Sequence, residues 1–460
     1  MAINDFPAAL QGVIQQNFLN REFEEGLDSI LAYRLCAIPE SIPARIGEQL
    51  TRTRKGRMAP TTIPLVPANV AANIDNSLTP GSFTMEQYTY FVNEYAQTVD
   101  VDLLGEMVGV ADQMIAFSRN NGVAAAQSLE RIAKYSLFAA YNTGNSWITK
   151  GSTPTTTSIH LDDIRGFQNV LVNGVVTPVS AANPLTVNEI ATVSGGVNQT
   201  LTVTAAVADA TNTSIFPASV SAQGSDGVSG TLTINTAGTT PVAGDAIVAV
   251  SAPKVFRPQG KNSTIQLASG DTLTLSLVLD AVAYLRDNGV PPFPQTGAYR
   301  CILDNSSMRA LFADQDFKVL FAGRDASSEY RSADIVHLLG VEFIPTTEAY
   351  FQSANTSAGL NVNVRRPIVI GAESLLQGNF EGLDMWLNRD GFNAIGVVMM
   401  VNDVAQIVRP PLDRMQRTLS MTWTWVGGFA VPTDLTATTD IIPTASNALY
   451  KRALVLEHAA

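Results

Sequence analysis

Apolar residues at helical spacing predict four helical segments along the chain. The first covers 7–35, and Pro residues shortly after it would end it. The longest covers 101–146 and is expected near the centre of the fold. Its interruption by Asn120-Asn121-Gly122 predicts two helices or one kinked helix. The remaining two cover 272–288 and 305–322.

Short apolar runs in the C-terminal half predict strands between and after these helices. Three of them are 299–303, 339–344 and 367–370, and one long apolar strand is predicted over 395–408. Period-two alternation predicts a further half-buried strand that carries Leu419, Met421, Trp423 and Trp425. Helices and strands therefore mix along the chain, which favours an α+β fold.

The stretch from Gly166 to Pro253 differs from the rest because it contains no Lys or Arg and few acids. Clusters of Gly and Ser recur as turn signals. Apolar and polar residues alternate between the turns, as in the set Leu201, Val203, Ala205 and Val207. This pattern predicts a small all-β module, a sandwich or a barrel, inserted into the mixed chain.

A basic cluster follows the first predicted helix. It holds five basic side chains within thirteen residues, namely Arg45, Arg52, Arg54, Lys55 and Arg57. Residues 49–53 read as a strand and Lys55-Gly56 as a turn, which predicts a basic β-hairpin. The hairpin is either a solvated basic loop or an arm that docks on an acidic neighbour, since a long exposed hairpin needs cover on its edges.

Composition narrows the class of protein. The chain has 460 residues, with 29 Lys+Arg against 41 Asp+Glu, for a net charge of −12. Apolar residues make up 46%, enough for a sizeable core, whereas charged residues make up only 15%. The low charge suggests either extensive self-association or a secreted β protein. The acidic balance argues against nucleic-acid binding as the main task. No membrane-spanning segment and no signal peptide are expected.

Chemistry-bearing motifs are sparse. The two cysteines, Cys36 and Cys301, cannot build a disulfide framework or a thiolate zinc site, and they fit a reducing compartment. Phosphate-binding glycine loops and a nucleophile elbow are absent from the sequence. His160 lies close to two acids, Asp162 and Asp163, and we interpret this group as a solvated loop rather than a metal site.

A hydrolase that uses paired carboxylates is one alternative function, and its candidate acids are Glu373, Glu381 and Asp384. A second alternative is a carbohydrate-binding or adhesion protein that uses the predicted β module. The module's stretch contains no Trp or Tyr, which counts against a sugar-stacking platform.

Seven sequence blocks carry a resemblance to a known family, mainly through their order around the long central helix. They are LFAAYNTG over 137–144, DIRGF over 163–167, VRRPIVIGAESL over 364–375, NFEG over 379–382, IVRPPLDR over 407–414, WTWVGGFAVPTD over 423–434 and YKRA over 450–453. In these blocks the chain resembles the major capsid proteins of tailed bacteriophages, which share the Hong Kong 97-type fold.

The resemblance implies a division of the chain into the parts of that fold. These parts are an N-terminal arm over 1–42, an extended loop over 43–99, a peripheral domain with its spine helix over 100–165, an inserted β domain over 166–265, an axial domain over 266–390, and return strands over 391–460 that complete the peripheral and axial domains. It also implies that the protein is not an enzyme and has no cofactor, no catalytic residues and no metal site.

The implied activity is assembly into pentamers and hexamers that form an icosahedral head around the phage genome. The implied partners are further copies of the chain, with scaffolding, portal and decoration proteins, non-specific proximity to packaged double-stranded DNA, and no membrane. The location is the virion, with host cytoplasm during assembly. Contact candidates between subunits are the five basic residues above with Arg409, Asp413 and Arg414. Some family members cross-link through a loop lysine, and Lys55 stands where such a lysine lies, but a solvated or salt-bridged lysine is the expectation here.

Overall fold

The computed structural model describes residues 18–27, 32–43, 49–55, 85–102, 112–172, 175–216, 227–322, 336–382, 397–409, 415, 417–432, 434–435, 441–442 and 451–460. Within them the chain mixes helices with several sheets, which confirms the mixed α and β character predicted from the sequence. No helix in these ranges is both long and apolar enough to cross a membrane.

The α-helices of the described residues are α1 Phe18–Leu27, α2 Asp112–Tyr141, α3 Leu275–Asp287, α4 Asn305–Ala313 and α5 Gln315–Ala322. Short 3₁₀ turns cover Arg34–Cys36, Pro258–Gly260, Thr264–Gln266 and Thr356–Ala358. The strands are β1 Ala37–Ile42, β2 Gln49–Lys55, β3 Met85–Phe91, β4 Asn93–Asp102, β5 Asn145–Trp147, β6 Ser158–Leu161, β7 Asn169–Val172, β8 Val175–Pro178, β9 Leu185–Ile190, β10 Gln199–Ala208, β11 Gly230–Ile234, β12 Ala246–Ala249, β13 Val255–Phe256, β14 Tyr299–Leu303, β15 Val336–Leu338, β16 Val341–Pro345, β17 Phe351–Gln352, β18 Val364–Arg365, β19 Ile368–Ile370, β20 Leu375–Phe380, β21 Val397–Val401, β22 Val404–Arg409, β23 Thr418–Ala430, β24 Asp434–Leu435, β25 Ile441–Ile442, β26 Ala453–Leu456 and β27 His458–Ala459.

The long helix α2 is one continuous helix, so of the two predicted alternatives the division into two helices at Asn120-Asn121-Gly122 is wrong. Gly122 is kept in the helix by tertiary packing, because it lies against the backbone of α1 where the two helices cross. The ends of the prediction are also too wide, since residues 101–102 belong to β4 and residues 145–146 to β5.

Two other predicted helices differ from their predicted extent: one ends earlier, and one is divided in two. The first is helical over Phe18–Leu27 in its described part, and the chain has turned into a 3₁₀ helix by Arg34 and into β1 by Ala37. The predicted helix over 305–322 is two helices, because the backbone of Asp314 is extended between α4 and α5. Asp314 instead accepts the Leu275 backbone N–H, at 2.8 Å, and so fixes the start of α3.

A six-stranded sheet, called here the long-strand sheet, is built around β23. Its order is β1-β20-β23-β22-β21, and β4 pairs along the other edge of β23. The alternating Leu419, Met421, Trp423 and Trp425 of β23 are all buried. The long strand predicted over 395–408 is wrong, because β21 and β22 form a hairpin whose two turn residues, Asn402 and Asp403, have left-handed backbones with φ of 47° and 68°.

Six antiparallel strands in the order β5-β12-β9-β10-β11-β6 form a second sheet around a separate apolar core. The sheet closes on itself because Ile148, just after β5, forms a bridge with Leu161 of β6, and we call it the barrel. It begins at Asn145, ahead of residue 166.

The predicted alternation of buried residues on β10 is correct in the first part of the strand and wrong in the last part. Leu201 and Val203 are buried, but the strand's register with β11 shifts between Val203 and Ala205. A bulge of this kind adds a residue and reverses which side chains face inward. Val207 is therefore 63% exposed instead of buried.

The third large sheet, called the mixed sheet, has the order β13-β26-β19-β14-β16-β15. Helices α3, α4 and α5 contribute to its apolar core with Leu285, Leu311 and Phe317. Its second strand, β26, comes from the last ten residues of the sequence and is fully buried. The chain's last described segment thus lies inside the molecule, paired between β13 and β19.

Candidate assembly surface

Strands β2 and β3 pair only with each other among the described residues and form the two-stranded sheet that we call the basic hairpin. The pairs run from Gln49 opposite Phe91 to Lys55 opposite Met85. The predicted turn at Lys55-Gly56 is therefore wrong, because Lys55 is still inside the strand and its partner strand begins thirty residues later at Met85.

The base of the basic hairpin is anchored on the long-strand sheet. Leu50 packs with Ile42 of β1 and Ala430 of β23. Gly428 of β23 lies so close to the hairpin that a Cβ there would be 1.9 Å from the carbonyl oxygen of Phe91. Only a glycine leaves room for this approach, which fixes the end at which the hairpin leaves the body of the protein.

Arg52 forms an ion pair with Glu40 of β1, and its side chain remains 40% exposed. Arg54 follows it in β2 at the position opposite Glu86, and Lys55 ends the strand. Strand β2 thus brings three of the candidate residues together.

Of the other five candidates for contacts between subunits, one is described by the structure and four are not. Arg409 is exposed at the end of β22, opposite Ser420 of β23. Arg45, Arg57, Asp413 and Arg414 lie outside the described residues.

The two described carboxylates of the hydrolase alternative bind different side chains. Glu373 pairs with Arg452 and is 59% exposed, whereas Glu381 accepts the hydroxyl of Ser41 beside β1. Asp384 lies outside the described residues. The structure therefore gives each described acid a separate neighbour and brings neither into a shared enclosed site.

The interpretation of His160, Asp162 and Asp163 as a solvated loop is wrong. Asp162 and Asp163 are 2% and 6% exposed, and Asp163 forms a bidentate pair with Arg165, with Nη2 to Oδ2 at 2.8 Å. His160 pairs with Asp209, with Nε2 to Oδ2 at 2.6 Å. The described residues hold no group of three or more His, Cys, Asp or Glu side chains suited to a metal.

A buried charge cluster joins the mixed sheet to the chain that follows the barrel. Glu457 accepts Arg257 Nε at 2.7 Å and Arg366 Nε at 2.8 Å, and the hydroxyl of Thr264 at 2.7 Å. Burial raises the pKa of Glu457, but Arg257 and Arg366 outweigh it and hold that pKa at about 2. The carboxylate is therefore ionised at neutral pH and holds together three distant parts of the chain.

A second buried carboxylate holds the segment that leads into β1 against the long helix. Glu130 accepts the backbone N–H groups of Ala32 at 2.8 Å, Tyr33 at 2.6 Å and Arg34 at 3.1 Å. Burial raises its pKa although these three bonds act in the opposite direction. The sequence predictions did not include Glu130 or Glu457. For Glu457 the available signal was an acidic residue directly after the apolar run 453–456, whereas Glu130 has polar and charged neighbours that conceal it.

The aromatic side chains of the described barrel residues do not form a platform for sugars. Trp147 is 3% exposed, and it packs at the junction with the three-stranded sheet β17-β18-β27, beside Leu360 and Val364. Phe167 and Phe216 are also buried. The carbohydrate alternative thus gains no stacking surface from this part of the chain.

No protein-family model and no curated protein matches the chain. Among solved structures, the chain is similar to the capsid of Ralstonia phage GP4, with a TM-score of 0.48 and 10% identity, covering 92% of this chain and 87% of that chain. It is similar to the capsid asymmetric unit of cyanophage Pam1, with a TM-score of 0.45 and 10% identity, covering 91% and 86%. It is also similar to the acid-stable capsid of Helicobacter pylori bacteriophage KHP30, with a TM-score of 0.44 and 9% identity, covering 91% and 87%. Each of these solved structures is the capsid of a phage.

Proposed function

We propose that this chain is a structural major capsid protein whose copies assemble, as pentamers and hexamers, into the closed head of a tailed bacteriophage around its genome. The division into arm, extended loop, peripheral, axial and inserted β parts is included in this proposal with the boundaries given above. The sequence blocks over 137–144, 364–375 and 423–434 support it.

The basic hairpin is the observation that carries the proposal. A two-stranded hairpin on its own is marginal in water, and no other strand of the described residues pairs with either of its edges. Its strand β2 carries Arg52, Arg54 and Lys55, whereas the whole chain has a net charge of −12. An acidic surface on a neighbouring copy therefore complements this strand better than solvent does.

Ring-like assembly fits this complementarity. Identical subunits that meet head to tail need two different complementary patches, one basic and one acidic in this case. Many weak contacts of this kind add up through multivalency when each copy contacts several others. Scaffolding, portal and decoration proteins, packaged DNA nearby and a virion location, with assembly in the host cytoplasm, belong to the same proposal.

The first experiment is negative-stain electron microscopy of the purified chain with light scattering on the same sample. Closed shells, or rings of five and six copies, are the expected result. A monomer that binds glycans on an array would contradict the proposal and favour the carbohydrate-binding alternative.

The role of the hairpin charge needs a design that respects the Arg52–Glu40 pair. Arg52→Glu removes that pair and any contact to a neighbour, whereas the double variant Arg52→Glu with Glu40→Arg restores the internal pair in reverse. We expect both variants to assemble poorly, and the double variant alone to recover the thermal stability of the parent. Lys254→Glu, an exposed change outside the hairpin, is the matched control and should assemble normally. Normal shells from the double variant would show that Arg52 serves only the internal pair.

A further inference from the structure

A short barrel segment, residues 212–216, bridges the barrel and the three-stranded sheet β17-β18-β27, and we call it the strap. On its barrel side, Asp162 Oδ1 accepts the backbone N–H of Ile215 at 2.9 Å, and Asp162 Oδ2 accepts the hydroxyl of Ser214 at 3.2 Å. On its other side, Gln352 Nε2 donates to the carbonyl oxygen of Ile215 at 3.0 Å. The backbone of Ile215 is thus hydrogen-bonded both to Asp162 of the barrel and to Gln352 on the other side of the strap.

Side-chain packing of the strap reinforces this bridge. The ring of Phe216 lies beneath two guanidinium groups, with the Arg366 Cζ 4.5 Å and the Arg165 Cζ 5.5 Å from its centroid. Arg165 belongs to the barrel and Arg366 to the segment next to the mixed sheet. Ile215 packs in the apolar cluster of the junction with Trp147 and Leu360.

Within the described ranges, the hydrogen-bond donors to the carboxylate at the centre of this arrangement are both neutral. Asp162 is 2% exposed, and its two partners are a backbone amide and a hydroxyl. A buried carboxylate without a bonded cation is costly in its ionised form. Burial raises the pKa of Asp162 to about 7, and the negative charge of Asp163 adds to this, against the bonds from Ile215 and Ser214 and the charge of Arg366.

Several described charged groups around Asp162 already have ion-pair partners. Asp163 pairs with Arg165, Arg366 with Glu457, and His160 with Asp209. An open cleft of about 510 Å³ beside Asp162 is also lined by Lys150 and His160, and gives water a route to the carboxyl group.

We propose that Asp162 is the latch of a pH-dependent clasp that holds the barrel against the three-stranded sheet β17-β18-β27. The protonated carboxyl keeps both bonds, because its carbonyl oxygen accepts the Ile215 N–H and its O–H donates to the Ser214 oxygen. Ionisation requires no new bond but leaves a buried charge, which favours opening of the strap towards the cleft. The inference concerns the single chain and does not depend on whether the chain assembles.

The direction of the pH effect follows from linkage. Asp162 binds its proton more tightly in the closed strap than in an opened, hydrated strap, where its pKa returns towards the ordinary value of 3.8. Closure is therefore favoured most below the ordinary value, and this contribution is lost as the pH rises through about 7. Between pH 6 and 8.5 the equilibrium constant for opening of the strap is expected to rise by about tenfold.

Hydrogen exchange of the full chain tests the clasp, with the amide of Ile215 as reporter and rates corrected for intrinsic pH dependence. Its protection is expected to fall about tenfold from pH 6 to 8.5. Asp162→Asn keeps the shape and both bonds without the charge, so its protection should stay high and flat. Glu189→Gln is the matched control, because burial also raises the pKa of Glu189, which lies in the barrel bonded to Gln199 and Val242.

A second variant keeps the test decisive if Asp162→Asn does not fold. Ser214→Ala removes a donor to the ionised form, so the midpoint of the protection loss should move to higher pH. A flat profile for the parent chain, or a pH response that persists in Asp162→Asn, would overturn the proposal. A response abolished by Glu189→Gln would assign the effect to the barrel as a whole and overturn it equally.

Discussion

Gly122 of the long helix lies directly against the backbone of Phe23 in α1, so that a Cβ at position 122 would be 2.3 Å from the Phe23 carbonyl oxygen. The contact is reciprocal one turn further on, where a Cβ on Gly26 of α1 would be 2.5 Å from the carbonyl oxygen of Arg119. Two glycines, one on each helix, therefore set how closely α1 approaches α2. This approach buries Phe23 and Leu27 in the core that α2 shares with Trp423 and Trp425.

Gly122→Ala is predicted to destabilise the chain, which is opposite to the usual effect inside a helix. Alanine normally gains about 1 kcal/mol over glycine there, but here its methyl group meets a backbone oxygen that cannot rotate away. We expect a net loss of about 1–3 kcal/mol in the free energy of unfolding, as for other overpacked sites. Chemical denaturation measures it. Asn120→Ala, exposed on the same helix, should be neutral or stabilising, and a stabilised Gly122→Ala would refute the close crossing.

Glu457→Gln is predicted to cost about 3–5 kcal/mol, because it leaves Arg257 and Arg366 buried without their counter-ion. The pH dependence has a definite sign. The pKa of Glu457 is lowered to about 2, so its stabilisation is complete above the ordinary value of 4.5 and is lost as the pH falls towards 2.

Acid unfolding of the parent chain and of Glu457→Gln tests this point. The difference in stability between the two should shrink below pH 4.5. Glu373→Gln is the matched control, since Glu373 also pairs with an arginine but is 59% exposed, and it should cost at most about 1 kcal/mol. Equal losses at the two positions would contradict the argument from burial.

Leu339→Asn is predicted to stabilise the chain by about 0.5–1 kcal/mol. Leu339 and Gly340 form the two-residue turn between β15 and β16, with φ of 53° and 80°. Asparagine adopts this left-handed conformation more readily than leucine, and the leucine side chain is 49% exposed, so little burial is lost. Thermal unfolding measures the gain. Leu338→Asn, at a strand position only 7% exposed, should instead be clearly destabilising.

Local hydrophobic patterns correctly predicted the helices and strands in which the spacing of apolar residues is unbroken. The strand Tyr299–Leu303 and the alternating residues of β23 are of this kind, as is most of α3. The basic strand β2 was also predicted, but its partner β3 was not, because Lys55-Gly56 resembles a tight turn whereas Lys55 pairs with Met85, thirty positions later.

Long-range contacts decided the features that the sequence did not reveal. Gly122 of α2 lies against α1, whose residue Phe23 is about a hundred positions earlier in the sequence. The Glu457 cluster joins residues 91 and 200 positions apart, and no local pattern marks such a partnership. Of the candidate surface, the sequence correctly indicated a basic strand, whereas the pairing of Arg52 with Glu40 needed the structure.

The bulge in β10 gives a prediction in which two identical substitutions differ in cost. Val203→Thr places a hydroxyl in the barrel core, where Val203 is fully buried, and should cost about 1–3 kcal/mol. Val207→Thr makes the same change four residues later at a side chain that is 63% exposed, and should stay within about 0.5 kcal/mol. An unbroken alternation would make the two losses equal, because both side chains would then face the core. Denaturant unfolding of the two variants therefore measures whether the register shift between Val203 and Ala205 turns Val207 outward.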